Sequence, residues 1–265
     1  MKPLITVLGI CALVLTPGIA SADLHTWDGD IGSDWSEGDN WTSDVAPATS
    51  DDITITDNST TSTCIYDSSA AASPYGTLTI GGSMTLTVSR SGGLEFEGLT
   101  TVSGSWDLTG AEPLYLRYVS VTADATIDNQ SSAGLYADRV TVDASSSQLR
   151  LTLDNDANQG FYCLREVVLK GSGANAAQLT VTSADVGDVY IGTLDVTGST
   201  EDEDAGEEEL LISADLTVTG RTIFRGGASI NCEIDVAANM TFDMGQVVFN
   251  QGTYNKNGTG VAFSS

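Results

Sequence analysis

Short stretches in which apolar and polar residues alternate recur from about Gly76 onward. Clear examples begin at Thr77, Met84, Leu149 and Gln178. Alternation with a period of two is typical of a strand with one buried face. Glycine, asparagine, aspartate and serine separate these stretches, and helical spacing is not sustained beyond the first 22 residues. The pattern predicts an all-β protein with many short strands.

The starts of these strands repeat along the chain. Segments of the form apolar–x–apolar begin at Leu78, Leu99, Val119, Val140, Val167, Leu194, Leu216 and Ile234. Successive starts lie about 18 to 27 residues apart, with further short strands between them, which is typical of a solenoid. We therefore predict a right-handed parallel β-helix; the alternative is an antiparallel β-sandwich with evenly spaced strands. In the β-helix, five of the apolar residues should stack in one inward column with neighbours about 4.8 Å apart: Val119, Val140, Val167, Leu194 and Leu216.

The segment before these strands is rich in tryptophan. Trp27, Trp35 and Trp41 lie within 15 residues, among glycine and aspartate. Because tryptophan is usually largely buried, we interpret the segment as a hydrophobic cap over the first coil; the alternative is a carbohydrate site in which exposed indoles stack on sugar rings. The predicted organisation is a cap with the first strands over residues 23–75 and a parallel β-helix over residues 76–265.

Residues 1–22 have the features of a secretory signal peptide. Lys2 precedes an apolar run of 12 residues, and small side chains follow at Ala20 and Ala22, so we expect cleavage before Asp23. The apolar run is shorter than the ~20 residues of a transmembrane helix, so we predict no membrane span after cleavage. The expected location is secreted, either extracellular or at the cell surface.

Export would place Cys64, Cys163 and Cys232 in an oxidising compartment. An odd number of cysteines permits at most one disulfide, and their wide spacing excludes a cysteine-rich scaffold. We interpret all three as small buried apolar side chains. The sequence leaves open whether two of them pair.

Charge and composition exclude several classes of function. The chain has 36 acidic and 10 basic side chains, and its net charge of −26 would repel a nucleic acid. Hydrophobic residues make up 41% of the chain, which is enough for a packed core, so the acidity does not indicate disorder. His25 is the only histidine, which excludes Ser-His-Asp and Cys-His nucleophiles and nearly all zinc sites. We predict that the protein is not an enzyme.

Calcium is the one cofactor for which the sequence offers a candidate site. Asp154, Asp156 and Asn158 place oxygen ligands at alternate positions, as at the start of a calcium-binding loop. Gln159 and Arg165 stand where such a loop carries glycine and a bidentate glutamate, so a solvated polar turn is the alternative. Looser groups of acids occur at Asp28, Asp30 and Asp34, and at Asp202 and Asp204.

The most specific motif lies in the tryptophan-rich segment. Its parts are Trp27-Asp-Gly-Asp, Asp34-Trp35, Asn40-Trp41, Ala46-Pro47 and Asp51-Asp52, directly before Ile53-Thr-Ile. This string resembles the region before the first β-helix strand in secreted bacterial surface proteins with autotransporter-associated or pectin-lyase-like repeats. The resemblance covers the motif alone. It implies a surface location and a β-helix rather than a particular reaction.

The expected function is that of a non-catalytic structural or adhesin-like protein at the cell surface. Its expected partners are extracellular polysaccharide or other cell-surface components. The alternative is a carbohydrate-binding or carbohydrate-active β-helix protein of the polysaccharide lyase or hydrolase type. An enzyme should have a groove along one face in which carboxylates or arginines converge, whereas a scaffold should have ladders of threonine, serine and asparagine.

Overall fold

The computed structural model describes residues 22–56, 60–154, 160–182, 189–198, 210–213, 215–225, 231–236, 242–250 and 253–257. For residues 231–236, 249–250 and 253–257 the backbone alone is described. The predicted leader lies outside these ranges except for Ala22. The described residues form 18 β-strands and a short 3₁₀ helix at Gly38–Asn40.

The strands vary from two to 17 residues in length. Their bounds are β1 Leu24–Thr26, β2 Asp52–Ile55, β3 Thr63–Tyr66, β4 Leu78–Ile80, β5 Met84–Val88, β6 Leu94–Gly110, β7 Leu114–Asn129, β8 Leu135–Asp143, β9 Leu149–Asp154, β10 Phe161–Lys170, β11 Ala177–Thr182, β12 Val189–Thr197, β13 Leu210–Ile212, β14 Leu216–Arg225, β15 Asn231–Val236, β16 Phe242–Asp243, β17 Gln246–Asn250 and β18 Thr253–Asn257.

Each described strand pairs in parallel with the equivalent strand of a neighbouring coil. The coils have three faces, which we call A, B and C in chain order. Face A contains β16 and the first residues of β6, β7, β8, β10, β12 and β14. Face B contains β1, β2, β4, β17 and the following parts of the same long strands. Face C contains β3, β5, β9, β11, β13, β15, β18 and the ends of β6 and β7. The predicted β-helix is confirmed, and the alternative β-sandwich is wrong because its strands would be antiparallel.

The inward column of face B corresponds largely to the predicted one. Four of the five predicted residues are Cα partners on successive coils: Val119, Val140, Val167 and Leu194. The fifth prediction is wrong, because Thr222 is the partner of Leu194, whereas Leu216 pairs with Val189 on face A. Faces A and B both carry apolar–x–apolar strands and the coils differ in length, so the spacing of strand starts could not distinguish the faces.

Two other predicted strand starts also lie outside this column. Leu99 is 48% exposed, and the next residue, Thr100, takes the buried position beside Val119. Ile234 belongs to face C, where its backbone pairs with that of Leu210. The register of a coil is therefore determined by which residues reach the interior, not by the first apolar residue of each strand.

The tryptophan-rich segment covers the first coils, as the cap interpretation predicts. All three indoles are fully buried, and the ring of Trp41 meets those of Trp27 and Trp35 edge to face at 5.1 and 5.0 Å. Trp35 also packs against Tyr66 and Tyr75 of the coils, with ring centroids 5.4 and 5.2 Å apart. These contacts join the segment to the continuous hydrophobic core.

Hydroxyl side chains form one outward column on face B and one on face C. On face B they form one column of Cα partners: Thr26, Thr54, Thr79, Thr101, Ser120 and Thr141. On face C they form another: Ser105, Thr126, Thr152 and Thr180. β-Branched threonine fits a half-buried pleated surface, which explains why the composition favours this fold.

Candidate functional site

Face A differs from the other two faces because its outward column is aromatic. Tyr115, Tyr136, Tyr162 and Tyr190 occupy this column on four successive coils, and we call them the tyrosine ladder. Glu95 precedes the ladder and Thr217 follows it. In each of the four strands the tyrosine lies between two buried side chains, such as Leu114 and Leu116 around Tyr115. The ladder therefore follows directly from alternation in a strand with one buried face.

The rings of the tyrosine ladder stack on one another along the solenoid. Their centroids are 5.1, 5.0 and 5.4 Å apart, and the angles between successive ring planes are 25°, 13° and 3°. Burial and the neighbouring Tyr162 and Tyr115 phenols raise the pKa of Tyr136 above its ordinary value. Because each inner ring has a neighbour on both faces, the ladder presents ring edges and hydroxyl groups to solvent, while the outer face of Tyr115 points toward the coil of Glu95.

The corner between faces A and B forms the second wall of a groove beside the ladder. β7, β8 and β12 turn this corner with one residue, as at Asp138, whereas β6, β10 and β14 use two, which in β10 are Leu164 and Arg165. The extra residue shifts the register and leaves Leu164 63% exposed. Gly192 occupies the corner of the next coil, where a Cβ would lie 2.6 Å from the Leu164 carbonyl oxygen. Only glycine permits this close approach.

Leu164 divides the groove into two lobes. The first, which we call the acidic lobe, has a volume of about 260 Å³ and is lined by Glu95, Phe96, Glu97, Tyr115, Leu116, Arg117, Tyr136, Ala137, Asp138 and Leu164. The second, which we call the apolar lobe, has a volume of about 300 Å³ and is lined by Tyr162, Cys163, Leu164, Tyr190, Ile191, Gly192 and Thr219. Exposed aromatic and aliphatic side chains beside polar groups are typical of a binding surface.

Three carboxylates and one guanidinium line the acidic lobe. Glu95 and Glu97 are exposed, and neither forms an ion pair with a described cation. Asp138 is 3.9 Å from Arg165 Nε, at the limit of an ion pair. The Arg117 guanidinium lies 5.7 Å from the centroid of the Tyr118 ring. The lobe therefore has a local excess of negative charge.

Arg117 and Arg165, two arginines of the exposed surface, border this groove, and Arg139 lies beside it. Arg139 Nη2 is 2.7 Å from Glu166 Oε2, so its charge is already paired. A groove with converging charges is the feature predicted for an enzyme, whereas the hydroxyl ladders of faces B and C are those predicted for a scaffold. The structure contains both features, on different faces.

The predicted ligand-binding tryptophans lie elsewhere, in the cap. Trp27, Trp35 and Trp41 are 0% exposed, and two of their indole N–H groups donate to backbone carbonyls, Trp27 Nε1 to Thr61 at 3.1 Å and Trp41 Nε1 to Trp35 at 2.8 Å. No ring face of these three residues is open to solvent in this arrangement. A sugar could stack on them only if the cap opened.

His25, the only histidine, also belongs to the cap. It is 4% exposed, and its Nε2 lies 3.0 Å from Asp51 Oδ2. Its Nδ1 lies 2.9 Å from Ser43 Oγ and 3.0 Å from the Val45 carbonyl oxygen. These contacts tie β1 to the loop that precedes β2.

The predicted calcium ligands are described only in part. Asp154 is the last residue of β9, and Asp156 and Asn158 lie outside the described residues, as do Asp202 and Asp204. Of the cap acids, Asp30 accepts a hydrogen bond from Thr60 Oγ1 at 3.0 Å, and Asp34 accepts from the Ser36 amide and hydroxyl. Among the residues that the structure describes, no group of three or more His, Cys, Asp or Glu side chains could hold a metal ion.

Two of the three predicted buried cysteines are described. Cys64 and Cys163 are buried and have free thiols. Burial raises the pKa of Cys163 to about 11, and burial followed by the charge of Asp34 raises that of Cys64. Both thiols are therefore protonated and unreactive at neutral pH. The side chain of Cys232 lies outside the described residues.

The tyrosine ladder was not predicted from the sequence, although the chain carries a signal for it. Tyrosine stands between two apolar residues at Leu114-Tyr-Leu, Leu135-Tyr-Ala, Phe161-Tyr-Cys and Val189-Tyr-Ile. Searching for a residue type at equal positions of the repeat would have found the column. The exposed Leu164 had no such signal, because its exposure depends on how the two-residue corner of β10 stacks between the one-residue corners of β8 and β12.

In the described part of the chain, no helix is long and apolar enough to cross a membrane. Comparisons with known proteins give no further identification: no protein-family model, no curated protein and no solved structure matches the chain.

Proposed function

We propose that the protein is a secreted, acidic, non-catalytic β-solenoid that acts as a structural or adhesin-like component at the cell surface. The observation that carries this proposal is the pair of hydroxyl ladders, which extend over six successive coils on face B and four on face C. Regular polar surfaces of this kind suit a spacer or a platform. The signal-peptide pattern of residues 1–22 supports export.

The carboxylates of the acidic lobe give less support to catalysis. A general acid at neutral pH needs a desolvated environment that raises its pKa, as in glycoside hydrolysis. Glu95 and Glu97 are exposed to solvent, and the side chain of Asp138 is 32% exposed. None of the three is enclosed with a second group that would activate it.

Carbohydrate binding, the alternative function, also finds less support than the scaffold. Sugar rings stack on open aromatic faces, but the three cap indoles are buried and the inner ladder rings cover one another. Apart from ring edges, the ladder leaves only the outer faces of its two end rings, Tyr115 and Tyr190, uncovered by another ladder ring.

Export and catalysis can be tested with the full-length chain. Expressed with its own leader in a bacterial host, the protein should leave the cytoplasm and begin at Asp23 when its N-terminus is sequenced. Incubation of the secreted protein with a panel of neutral and anionic polysaccharides should release no new reducing ends and no unsaturated products. Retention of an uncleaved chain in the cytoplasm would contradict the location, and turnover that Glu97→Gln removes would contradict the non-catalytic assignment.

A further inference from the structure

The groove beside the tyrosine ladder has the features of a site for an extended chain. It runs along the solenoid axis, and its two lobes lie on either side of Leu164. Two of its lining residues are exposed, Leu164 by 63% and Tyr115 by 39%, and exposed apolar surface of this kind is typical of an interaction site. One wall is rigid, because the four stacked rings support each other.

The charge of the groove indicates which partner fits. In the acidic lobe, Glu95 and Glu97 have no ion-pair partner among the described residues, and Arg117 is associated with the ring of Tyr118. The whole chain adds a net charge of −26, which attracts cations and repels anionic polymers. The outer face of Tyr115, which no other ladder ring covers, provides a cation–π surface next to Glu95.

We propose that this groove binds an extended basic segment of a partner protein. A lysine or arginine side chain enters the acidic lobe, where Glu95 and Glu97 neutralise it and Tyr115 covers its apolar stem. An apolar side chain of the same segment enters the second lobe, against Ile191 and Tyr190. The tyrosine hydroxyls repeat once per coil. They accept hydrogen bonds from the backbone amides of the segment and donate hydrogen bonds to its carbonyl oxygens.

This inference extends the proposed function by naming a class of partner, but it is tested independently. Binding is measured with the purified secreted protein, so a negative result would leave export and the absence of turnover unaffected. A neutral glycan is the main competing occupant, because hydroxyl-rich ring edges also suit sugars.

The probe is a short labelled peptide in which lysine and valine alternate with serine spacers, and fluorescence anisotropy measures its binding at low and at physiological salt. Two matched peptides carry glutamine or glutamate in place of lysine. We expect the lysine peptide to bind, the glutamine peptide to bind at least tenfold more weakly, and the glutamate peptide not to bind. The affinity for the lysine peptide should fall as salt rises, because the contacts are partly exposed.

Variants separate the groove from the general acidity of the chain. Glu95→Gln with Glu97→Gln should lower the affinity for the lysine peptide about tenfold or more, and Leu164→Ser should lower it severalfold. The control, Glu37→Gln with Asp39→Asn, removes the same charge from exposed sites in the cap and should change affinity less than twofold. Circular dichroism and melting curves check that each variant is folded.

Three results would overturn the proposal. An equal loss of affinity in the groove variant and the cap variant would assign binding to net charge alone. Equal binding of the glutamine and lysine peptides would show that the positive charge of lysine does not contribute to binding. Failure of the lysine peptide to bind, together with binding of a neutral glycan that Leu164→Ser abolishes, would make the groove a carbohydrate site.

Discussion

Within the inward column of face B, threonine fills two positions where neighbouring coils have leucine or valine. Thr100 lies between Leu78 and Val119, and Thr222 follows Leu194. Both are fully buried. Their hydroxyls differ, because Thr222 Oγ1 donates to the Met244 carbonyl oxygen at 2.8 Å, whereas Thr100 Oγ1 has no hydrogen-bond partner.

Replacing each threonine with valine keeps the shape and removes the hydroxyl, so the two variants form a matched pair. Thr222→Val should lower the free energy of unfolding by about 1 kcal/mol, because the Met244 carbonyl loses its donor. Thr100→Val should raise it by up to about 1 kcal/mol, because a buried unpaired hydroxyl is removed. Denaturant unfolding of both variants measures the difference. Changes of the same sign would contradict this account of the two hydroxyls.

The tryptophans of the cap contribute packing at the end of the solenoid. Trp41→Ala should lower the free energy of unfolding by about 3 kcal/mol or more, because it opens a cavity beside Trp27 and Trp35 and removes the Trp41 Nε1 hydrogen bond. Tyr118→Ala is the control: its side chain is 44% exposed and leaves no closed cavity, so the loss should be small. Equal melting temperatures for wild type and Trp41→Ala would refute a structural role for this cap.

At the scale of the element, the sequence predicts the strands better than their assignment to faces. Alternation in the sequence predicted β4, β5, β9 and β11. Burial alternates in β4, β5 and β9, whereas the first five residues of β11 are all buried. Leu216 was placed on the wrong face, because similar strands occur on all three faces and the corners vary in length. The groove was not predicted for the same reason: it depends on how corners of unequal length stack on one another, a property of stacked coils rather than of one strand.

Two corner glycines test how far the backbone of a coil depends on the absence of a side chain. Gly110 ends β6 with φ of 109°, and an added Cβ would overlap the Val88 carbonyl group of the preceding coil. Gly92 has a similar φ of 95° but open space around it. Gly92→Ala should therefore cost the ~1–2 kcal/mol of a left-handed conformation, and Gly110→Ala clearly more, because backbone must also move. Thermal and denaturant unfolding of the two variants separates the cost of the left-handed conformation from the cost of the steric clash. Equal losses of stability would show that the clash at Gly110 contributes nothing.

In the whole molecule, parallel stacking places residues that are distant in sequence directly above one another, so side chains of like charge can form a column. On face C, Asp107, Asp128 and Asp154 are Cα partners on three successive coils, about 4.8 Å apart. Like charges directly opposite one another destabilise a sheet. With a net charge of −26, the folded chain repels itself both locally and as a whole.

Self-repulsion predicts a protein that salt stabilises. The melting temperature should rise as NaCl shortens the Debye length, which is ~10 Å at 0.1 M. Asp128→Asn should raise the melting temperature at low salt and reduce its salt dependence, because it breaks the column of carboxylates. Asp39→Asn, an exposed cap residue, removes the same charge outside the column and should have a smaller effect. An equal effect of the two variants would assign the repulsion to net charge and not to the column.

The same column provides the strictest test of the predicted calcium site. Calcium that binds only the folded chain would add about 2.7 kcal/mol of stability at a hundredfold excess over its dissociation constant, whereas screening depends on ionic strength alone. Because Gln159 and Arg165 stand where a calcium-binding loop carries glycine and a bidentate glutamate, we expect screening to dominate. Melting curves in EDTA, in CaCl₂ and in NaCl of equal ionic strength should therefore give nearly equal midpoints in the two salts. A calcium-specific gain that disappears in Asp154→Ala but persists in Asp107→Asn would contradict this and place the ion in the turn after β9. A gain lost in both variants would place it on the carboxylate column.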